Sequence, residues 1–293
     1  MVSQQLSASI VQKFIPPRKA SSRKGDNGTV LVIGGSYIYH GAPILSSIAA
    51  LRCGTDLVYT SVPKINVAAT RSISPNLIVL PLADQKLTRG AVNKLLGMIP
   101  RNLDSATIGM GLAVQEKNSL LHLVKSLLDK DVRLSLDASA LIPDILPLLS
   151  NKNVVVTPHA GEFKRLFGEP PPNSQKERIS LVEKKAKEFG IAVLLKGATD
   201  VISDGKKTFL YTKKIPAMTV GGTGDVLSGL TAGMLAKNRN PLESAASATF
   251  INGLAGKSVQ KKFGLHMTSM DLLEEIPNVM KPFDKIVWLK WIH

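Results

Sequence analysis

The residues with the most chemistry lie at Gly221-Gly222-Thr223-Gly224-Asp225, just ahead of the apolar run VLSGLTAGML. Glycines at a helix N-terminus let backbone N–H groups converge on an anion, and the helix dipole favours negative charge at that end. The segment lacks the Lys-Ser/Thr pair of a P-loop and does not follow a strand in the dinucleotide-binding pattern. It reads as a phosphate cradle of another kind. Asp225 falls in the first helical turn, where the dipole favours its ionised form. A carboxylate beside a bound phosphoryl group suits a base for a hydroxyl that is being phosphorylated. The competing reading is a plain helix cap by Thr223 or Asp225. A cap explains one polar residue but not three glycines in four positions, each of which costs backbone entropy.

Four other places carry side chains capable of chemistry. His159 and Glu162 form His-x-x-Glu. A zinc site would need further ligands, and a chain with five His and one Cys offers none nearby. Glu162 reads either as an outer anchor for Mg²⁺, which keeps its waters and leans on carboxylates and substrate phosphates, or as a solvated Glu beside a turn-capping His. Lys196-Gly197-Ala198-Thr199-Asp200 would hold a nucleotide through its Lys and its amides, or merely turn the chain. Asp137, in LDASAL, is either a hydrogen-bond acceptor for substrate or a helix cap. Cys53, on an Ala/Leu-rich helix, reads as structural.

Alternating elements would position these groups. Short β-branched apolar runs predict strands over 29–33, 56–62, 76–80, 105–110, 133–136, 153–157 and 192–195. Residues 201–204 and 208–212 flank Asp204-Gly205 and predict a hairpin. Apolar spacing predicts helices over 43–52, 89–99, 117–128, 175–189, 225–236 and 241–262, the last with Asn240 as N-cap and Pro241 at its first position. Such alternation implies an α/β fold with a mainly parallel sheet covered on both faces. Ligands bind beyond the carboxyl ends of those strands. Gly34-Gly35-Ser36, Gly109-Met110-Gly111, Asp137, Pro158-His159 and Lys196-Gly197 each follow a predicted strand. No linker divides the chain, and the Pro-rich residues 169–174 read as a surface loop. The expectation is a basic arm over 1–24, solvated and free of acidic residues, then one domain over 25–293.

Composition removes several classes. With 293 residues, 44% hydrophobic and 20% charged, a mostly disordered chain is excluded. A single Cys excludes a disulfide framework and a cysteine-rich metal site, and suits a reducing compartment such as the cytoplasm. No apolar run reaches the ~18–20 residues of a membrane span. Lys+Arg 37 against Asp+Glu 22 gives +15, a field that attracts nucleic acid, phospholipid or small phosphorylated ligands. The basic residues are dispersed and aromatic content is 5%, so neither specific nucleic-acid binding nor a membrane partner is expected.

Together the segments KGDNGTVLVIGGSYIYHGAPILSSIAALRCGTDLVYTSVP, IGMGL, LDASAL, TPHAGEFKRL, LLKGATDVI and AMTVGGTGDVLSG resemble the ribokinase-like superfamily. Within it they resemble the ADP- or ATP-dependent NAD(P)H-hydrate dehydratase family, from about Lys24 to about Met280. The resemblance implies a ribokinase-like three-layer α/β/α sandwich with a mainly parallel central sheet. It implies nucleotide-dependent dehydration of hydrated NADH or NADPH, as the S epimer, by phosphorylation of the ring hydroxyl and loss of phosphate. It implies that Ala42, Gly111, His159 and Asp225 contact the hydrated dinucleotide, with Asp225 as catalytic base. Lys196, Gly197, Ala198, Thr199 and Asp200, with Gly222, Thr223 and Gly224, would hold ADP or ATP. His-x-x-Glu stands where ribokinase-like kinases have Asn-x-x-Glu, which implies a Mg²⁺ role for Glu162, through water.

Three departures stand out. Gly109-Met110-Gly111 replaces a common Gly-Pro-Gly, Ile215-Pro216-Ala217-Met218 replaces Asn-Pro-Gly-Met, and Ser139 stands where a second Asp is common. The roughly 24 residues ahead of the first motif leave no room for an epimerase, so a separate epimerase is expected as functional partner. The resemblance implies a homo-oligomer, with a tetramer as one form. The +15 charge is expected to serve two phosphate-rich ligands meeting at the glycine-rich helix. The alternative function is a ribokinase-like small-molecule kinase acting on a sugar, thiazole or pyrimidine alcohol. TPHAGEF together with GGS…GA fits the dehydratase pattern better.

Overall fold

Strands with apolar side chains on both faces need a cover on each side. The computed structural model describes residues 3–212 and 214–288. Its elements run β1 (Ser3–Gln5), α1 (Ala8–Phe14), β2 (Arg18–Lys19), β3 (Thr29–Ile33), α2 (Gly41–Arg52), β4 (Leu57–Pro63), α3 (Val67–Ile73), β5 (Ile78–Leu82) and α4 (Arg89–Met98). They continue with β6 (Ser105–Ile108), α5 (Lys117–Leu128), β7 (Arg133–Leu136), α6 (Leu146–Leu149), β8 (Val154–Val156), α7 (Ala160–Phe167) and α8 (Gln175–Phe189). The last are β9 (Ala192–Leu195), β10 (Thr199–Ser203), β11 (Thr208–Thr212), α9 (Thr223–Lys237), α10 (Pro241–Phe263), α11 (Ser269–Met280) and β12 (Ile286–Val287).

Ten strands form one sheet in the order β1-β11-β10-β9-β8-β7-β6-β3-β4-β5. Only β10, the first strand of the predicted hairpin, runs antiparallel to its neighbours; every other pair in this sheet is parallel. Alternation along the strands sorts side chains into two layers. Leu31, Ile33, Leu134, Leu136, Val193 and Leu195 join the core under α4, α5 and α8. Val155, Ala192 and Leu194 join the opposite core, under α9 and α10. The result is the expected α/β/α sandwich with a mainly parallel sheet.

Helix α9 lies between the sheet and α2, and its residues from Val226 to Ala236 are all buried. An all-round apolar helix is a buried helix. Small residues let it sit close: a Cβ at Gly229 would collide with the Ser46 carbonyl of α2. Towards the sheet, Thr107 and Ser228 share a 2.7 Å hydrogen bond, and the Ser105 hydroxyl donates to the Ala232 carbonyl at 2.7 Å. Cys53 is buried at the end of α2, and burial pushes its thiol pKa up, in keeping with a structural role.

The N-terminal residues depart from the expected solvated arm. β1 pairs in parallel with β11, the Leu6 N–H donates to the Leu210 carbonyl at 2.9 Å, and Val11 of α1 is fully buried against the α10 layer. The polar Ser-Gln-Gln strand binds through its backbone, which leaves no apolar pattern to read. From Pro17 to Ser21 every residue is exposed, and there β2 pairs with β12 in a separate two-stranded ribbon. No helix among the described residues is long and apolar enough to cross a membrane.

Candidate active site

Strands β9, β8, β7, β6 and β3 lie side by side in that order, and the chemically suggestive segments follow their carboxyl ends. The sheet therefore gathers Lys196, His159, Asp137, Gly109-Met110-Gly111 and Gly34-Gly35-Ser36 into one row. Met110, which stands where the family commonly has proline, is fully buried among Val30, Val32 and Val58 and packs under Gly34. It plugs the sheet end from below.

The glycine loop approaches this row from the side of α9. A short turn of 3₁₀ helix, Pro216–Thr219, precedes it, as befits a loop that follows no strand. Gly222 is the N-cap at φ +94°, a conformation that L side chains rarely adopt. A Cβ there would come within 2.6 Å of Ser269 Oγ and 2.7 Å of Leu45 Cδ1. The Ser269 hydroxyl donates to the Gly221 carbonyl, tying the loop to α11. No side-chain hydrogen bond caps α9, so neither Thr223 nor Asp225 acts as the plain cap that the sequence left open. The Thr223 hydroxyl instead donates to the Met218 carbonyl at 3.1 Å. The first-turn N–H groups of α9 are left to face a ligand.

Asp225, Lys196, Asp137 and Glu162 form one electrostatic cluster. Lys196 Nζ donates to Asp137 Oδ1 at 2.9 Å and lies 3.7 Å from Glu162 Oε2. A Cβ on Gly224 would stand 3.8 Å from the same ammonium. Burial works to lower the Lys196 pKa, but the carboxylates of Asp137, Glu162 and Asp225 outweigh it and raise it. Burial, with Asp137 and Glu162 adding to it against Lys196, lifts the Asp225 carboxyl to about 6. The Ser46 hydroxyl donates to the Asp225 backbone carbonyl at 2.7 Å and fixes the turn that carries it. Asp137 is thus neither a helix cap nor free for substrate: it holds Lys196.

His159 is the N-cap of α7. Its Nδ1 accepts the N–H groups of Gly161 (3.0 Å) and Glu162 (3.3 Å), and Glu162 Oε2 accepts the His159 N–H at 2.8 Å. This is a capping box with His in the usual Ser/Thr place. Because Nδ1 accepts, the neutral ring carries its proton on Nε2, which lies 3.4 Å from Glu162 Oε1. The ring is 60% exposed at the row of strand ends. Gly111 faces the start of α2, where a Cβ on it would lie 3.3 Å from the Ala42 Cβ and 2.8 Å from the Tyr39 Cβ.

A cleft of about 470 Å³ opens beside the loop. Lys196, Gly197, Ala198, Thr223 and Gly224, five of the eight residues expected to hold the nucleotide, line it. Three expected contacts are not on its wall. Gly222 is packed against Ser269 and Leu45, Thr199 Oγ1 lies 3.2 Å from Thr212 Oγ1 at the start of β10, and Asp200 is fully buried. Asp200 Oδ1 accepts the Gly197 N–H at 2.9 Å and so shapes the turn behind the wall. Ile215, Pro216 and Met218, from the run that departs from Asn-Pro-Gly-Met, also line the cleft, together with Lys214, Leu227 and Asn252, which the sequence does not single out. Asn252 Oδ1 is buried there with no hydrogen-bond partner among the described residues. Nothing local marks Asn252 in the sequence, since it sits inside a long, mostly apolar helix. Tyr37 and Tyr39 stand 65% and 64% exposed in the loop that follows Gly35-Ser36.

The cluster tests the Mg²⁺ expectation. No group of three or more His, Cys, Asp and Glu among the described residues is placed to hold a metal directly. Three carboxylates around one ammonium leave negative charge where phosphate must settle, and that calls for an added cation. Mg²⁺ bound mainly by water and substrate phosphates, with one carboxylate in its outer shell, fits this donor set. Glu162 would take that outer-shell place, since the Lys196 ammonium pairs more closely with Asp137, at 2.9 Å, than with Glu162, at 3.7 Å.

A family model described as NAD(P)H-hydrate dehydratase matches residues 30–278. A protein of Nitrosopumilus maritimus named ADP-dependent (S)-NAD(P)H-hydrate dehydratase is 80% identical over 287 residues, 98% of this chain and 100% of that one. One of the same name from Cenarchaeum symbiosum is 64% identical, over 98% of this chain and 100% of that one. Among solved structures, the ADP/ATP-dependent NAD(P)H-hydrate dehydratase of Bacillus subtilis, co-crystallised with ATP/Mg²⁺, superposes with a TM-score of 0.84 at 26% identity. The match covers 97% of this chain and 100% of that one.

Proposed function

The chain belongs to the NAD(P)H-hydrate dehydratase family, and we propose that it returns the S epimer of hydrated NADH or NADPH to NAD(P)H with ADP as phosphoryl donor. One observation carries the reading at the level of residues. A carboxylate lifted to about 6 stands in the first turn of a buried helix, beside a buried Lys and a nucleotide-sized cleft.

The hydrated substrate bears a hydroxyl on a reduced ring, and hydroxide leaves poorly. Asp225 takes the hydroxyl proton as the oxygen attacks the terminal phosphorus of ADP, and the bond to AMP breaks. The N–H groups of Thr223 and Gly224, on the cleft wall, and the Lys196 ammonium receive the charge that develops on the phosphoryl oxygens. Mg²⁺, when bound near Glu162, would screen the nucleotide phosphates. The ring nitrogen's lone pair then expels phosphate, which carries away the former hydroxyl oxygen. Loss of a proton from the neighbouring ring carbon restores the double bond. The products are NAD(P)H, AMP, phosphate and a proton.

Lys196, Gly197, Ala198, Thr223 and Gly224 serve the adenine nucleotide, and Thr199 and Asp200 act through the turn they hold. Asn252 serves the adenine edge, because it lines the cleft and its buried oxygen lacks a partner among the described residues. Ala42, Gly111 and the exposed edge of His159 serve the dinucleotide. A separate epimerase feeds the S epimer, the protein works in the cytoplasm, and copies associate, as the family resemblance suggests. The test is to offer each purified epimer with Mg²⁺ and ADP and follow reduced-nicotinamide absorbance. Recovery from the S epimer alone, dependent on nucleotide, is expected. Equal initial rates on both epimers, or recovery without nucleotide, would sink the reading.

A further inference from the structure

The excess positive charge does not collect at the nucleotide cleft, where Lys196 and Lys214 are the only basic residues on the described wall. It collects at the other end of α9. That helix runs 15 residues from the glycine loop to Lys237, about 22 Å at 1.5 Å per residue. Lys237 lines a cleft of about 450 Å³ that continues, through Arg18, Asn27 and Ile286, into a second of about 590 Å³. Eight Lys and Arg side chains stand on the two walls against three Asp. One of the three, Asp56, is already held by Arg18 at 3.0 Å and by the N–H groups of Gly25 and Asn27.

The β2/β12 ribbon borders this basic ground. Ile286 is 59% and Trp288 73% exposed, and both line the second cleft beside Lys19, Arg23 and Lys24. The sequence continues as Leu289-Lys290-Trp291-Ile292, so both Trp of the chain fall in this short stretch, interleaved with Lys. Exposed Trp and Ile at a charged edge mark an interaction surface. Trp and aliphatic side chains among Lys and Arg are the chemistry of a lipid–water boundary, with rings at headgroup level and cations on anionic headgroups. Single-stranded nucleic acid asks for successive stacking platforms. Trp288 is the one exposed aromatic on these walls among the described residues.

We propose that this edge docks the protein on the surface of an anionic lipid bilayer, with Ile286 and Trp288 at the headgroup boundary and Lys19, Arg23 and Lys24 on the headgroups. The active site, at the opposite end of the sheet, stays open to solvent. The sequence reading expects no membrane partner; surface docking requires no spanning helix and escapes that reasoning.

Intrinsic fluorescence reads this edge through Trp288, and the only other Trp of the sequence, Trp291, follows three residues later in the chain. The probes are vesicles of phosphatidylcholine alone and vesicles with about one third phosphatidylglycerol. The expected result is blue-shifted emission and co-sedimentation with the anionic vesicles, abolished by high salt, and neither with the neutral ones. Each cation near an anionic surface is worth roughly fivefold in partitioning, so combined Lys19→Gln, Arg23→Gln and Lys24→Gln lowers it about a hundredfold. Dehydratase turnover and melting temperature of that variant stay at parent values. Trp288→Ser diminishes the blue shift. Absence of binding to anionic vesicles, or equal binding to neutral ones, overturns the proposal. So does quenching by an oligonucleotide at physiological salt without vesicle binding, or burial of the edge by self-association without lipid.

Discussion

Replacing Asp225 with Asn should abolish turnover and, at neutral pH, make the protein more stable. The carboxyl is lifted from its usual value to about 6 by burial and by Asp137 and Glu162, against the pull of Lys196. A shift of roughly two units corresponds to about 3 kcal/mol of strain in the ionised folded state. Asp225 is only part-buried, so solvent screening reduces this to about 1.5 kcal/mol. Loss of a favourable charge at a helix N-terminus works the other way by about 0.3–1 kcal/mol. The strain wins, and Asp225→Asn gains about 0.5–1 kcal/mol, a degree or more in Tm for a chain this long. The pH dependence follows from the raised folded pKa. Below about pH 4 the carboxyl is protonated folded and unfolded, and the variant has no advantage. The advantage grows between about 4 and 6 and is complete above. Activity should fall at least ~10²-fold, and parent kcat/KM should drop tenfold per pH unit below about 6. Melting scans at about pH 4 and pH 8, beside recovered NAD(P)H absorbance, check both halves. An active variant refutes the base assignment. A variant less stable at about pH 8 refutes the strain argument and makes Asp225 a helix-dipole partner.

Other changes probe the neighbouring parts. Gly222→Ala should cost about 1–3 kcal/mol and most activity, because its Cβ meets Ser269 and Leu45 at a positive φ, whereas Gly221→Ala, with open space around it, should melt like the parent. Asn252→Leu should raise KM for ADP about tenfold or more with little change in kcat, and lessen discrimination against inosine diphosphate. Chelation of divalent cations should stop turnover and added Mg²⁺ restore it; Glu162→Gln, which preserves the capping box, should raise the Mg²⁺ concentration required while leaving Tm near the parent value.

Strands buried on both faces were the easiest elements to read, because β-branched runs such as TVLVI and AVLL have no helical alternative of that length. The helix 117–128 was equally plain, its Leu120, Leu123, Val124 and Leu127 falling on one face. β1 and α1 escaped because their contacts are with β11 and α10, more than 190 residues away, and a polar edge strand has no hydrophobic signature. α7 and α11 escaped too, though each begins with a capping box: His is an unusual N-cap, and Pro277 interrupts the pattern of α11. At the site, the row of five strand ends was legible because topology places ligand groups there whatever the loops contain. The Lys196–Asp137 pair was not. Which carboxylate meets which cation depends on strand order, and strand order is set by packing across the sheet. The charge excess carried the opposite lesson: its total was plain in the composition, but only the fold puts it at the far end of α9.

The central claim is that the ring hydroxyl leaves as phosphate. It is tested by substrate whose hydroxyl carries heavy oxygen, incubated with the protein, Mg²⁺ and ADP, with mass analysis of the products. The account predicts the label in inorganic phosphate, with one phosphate and one AMP for each NAD(P)H recovered. Label released into water, or a stable phosphoester in place of NAD(P)H, would contradict it.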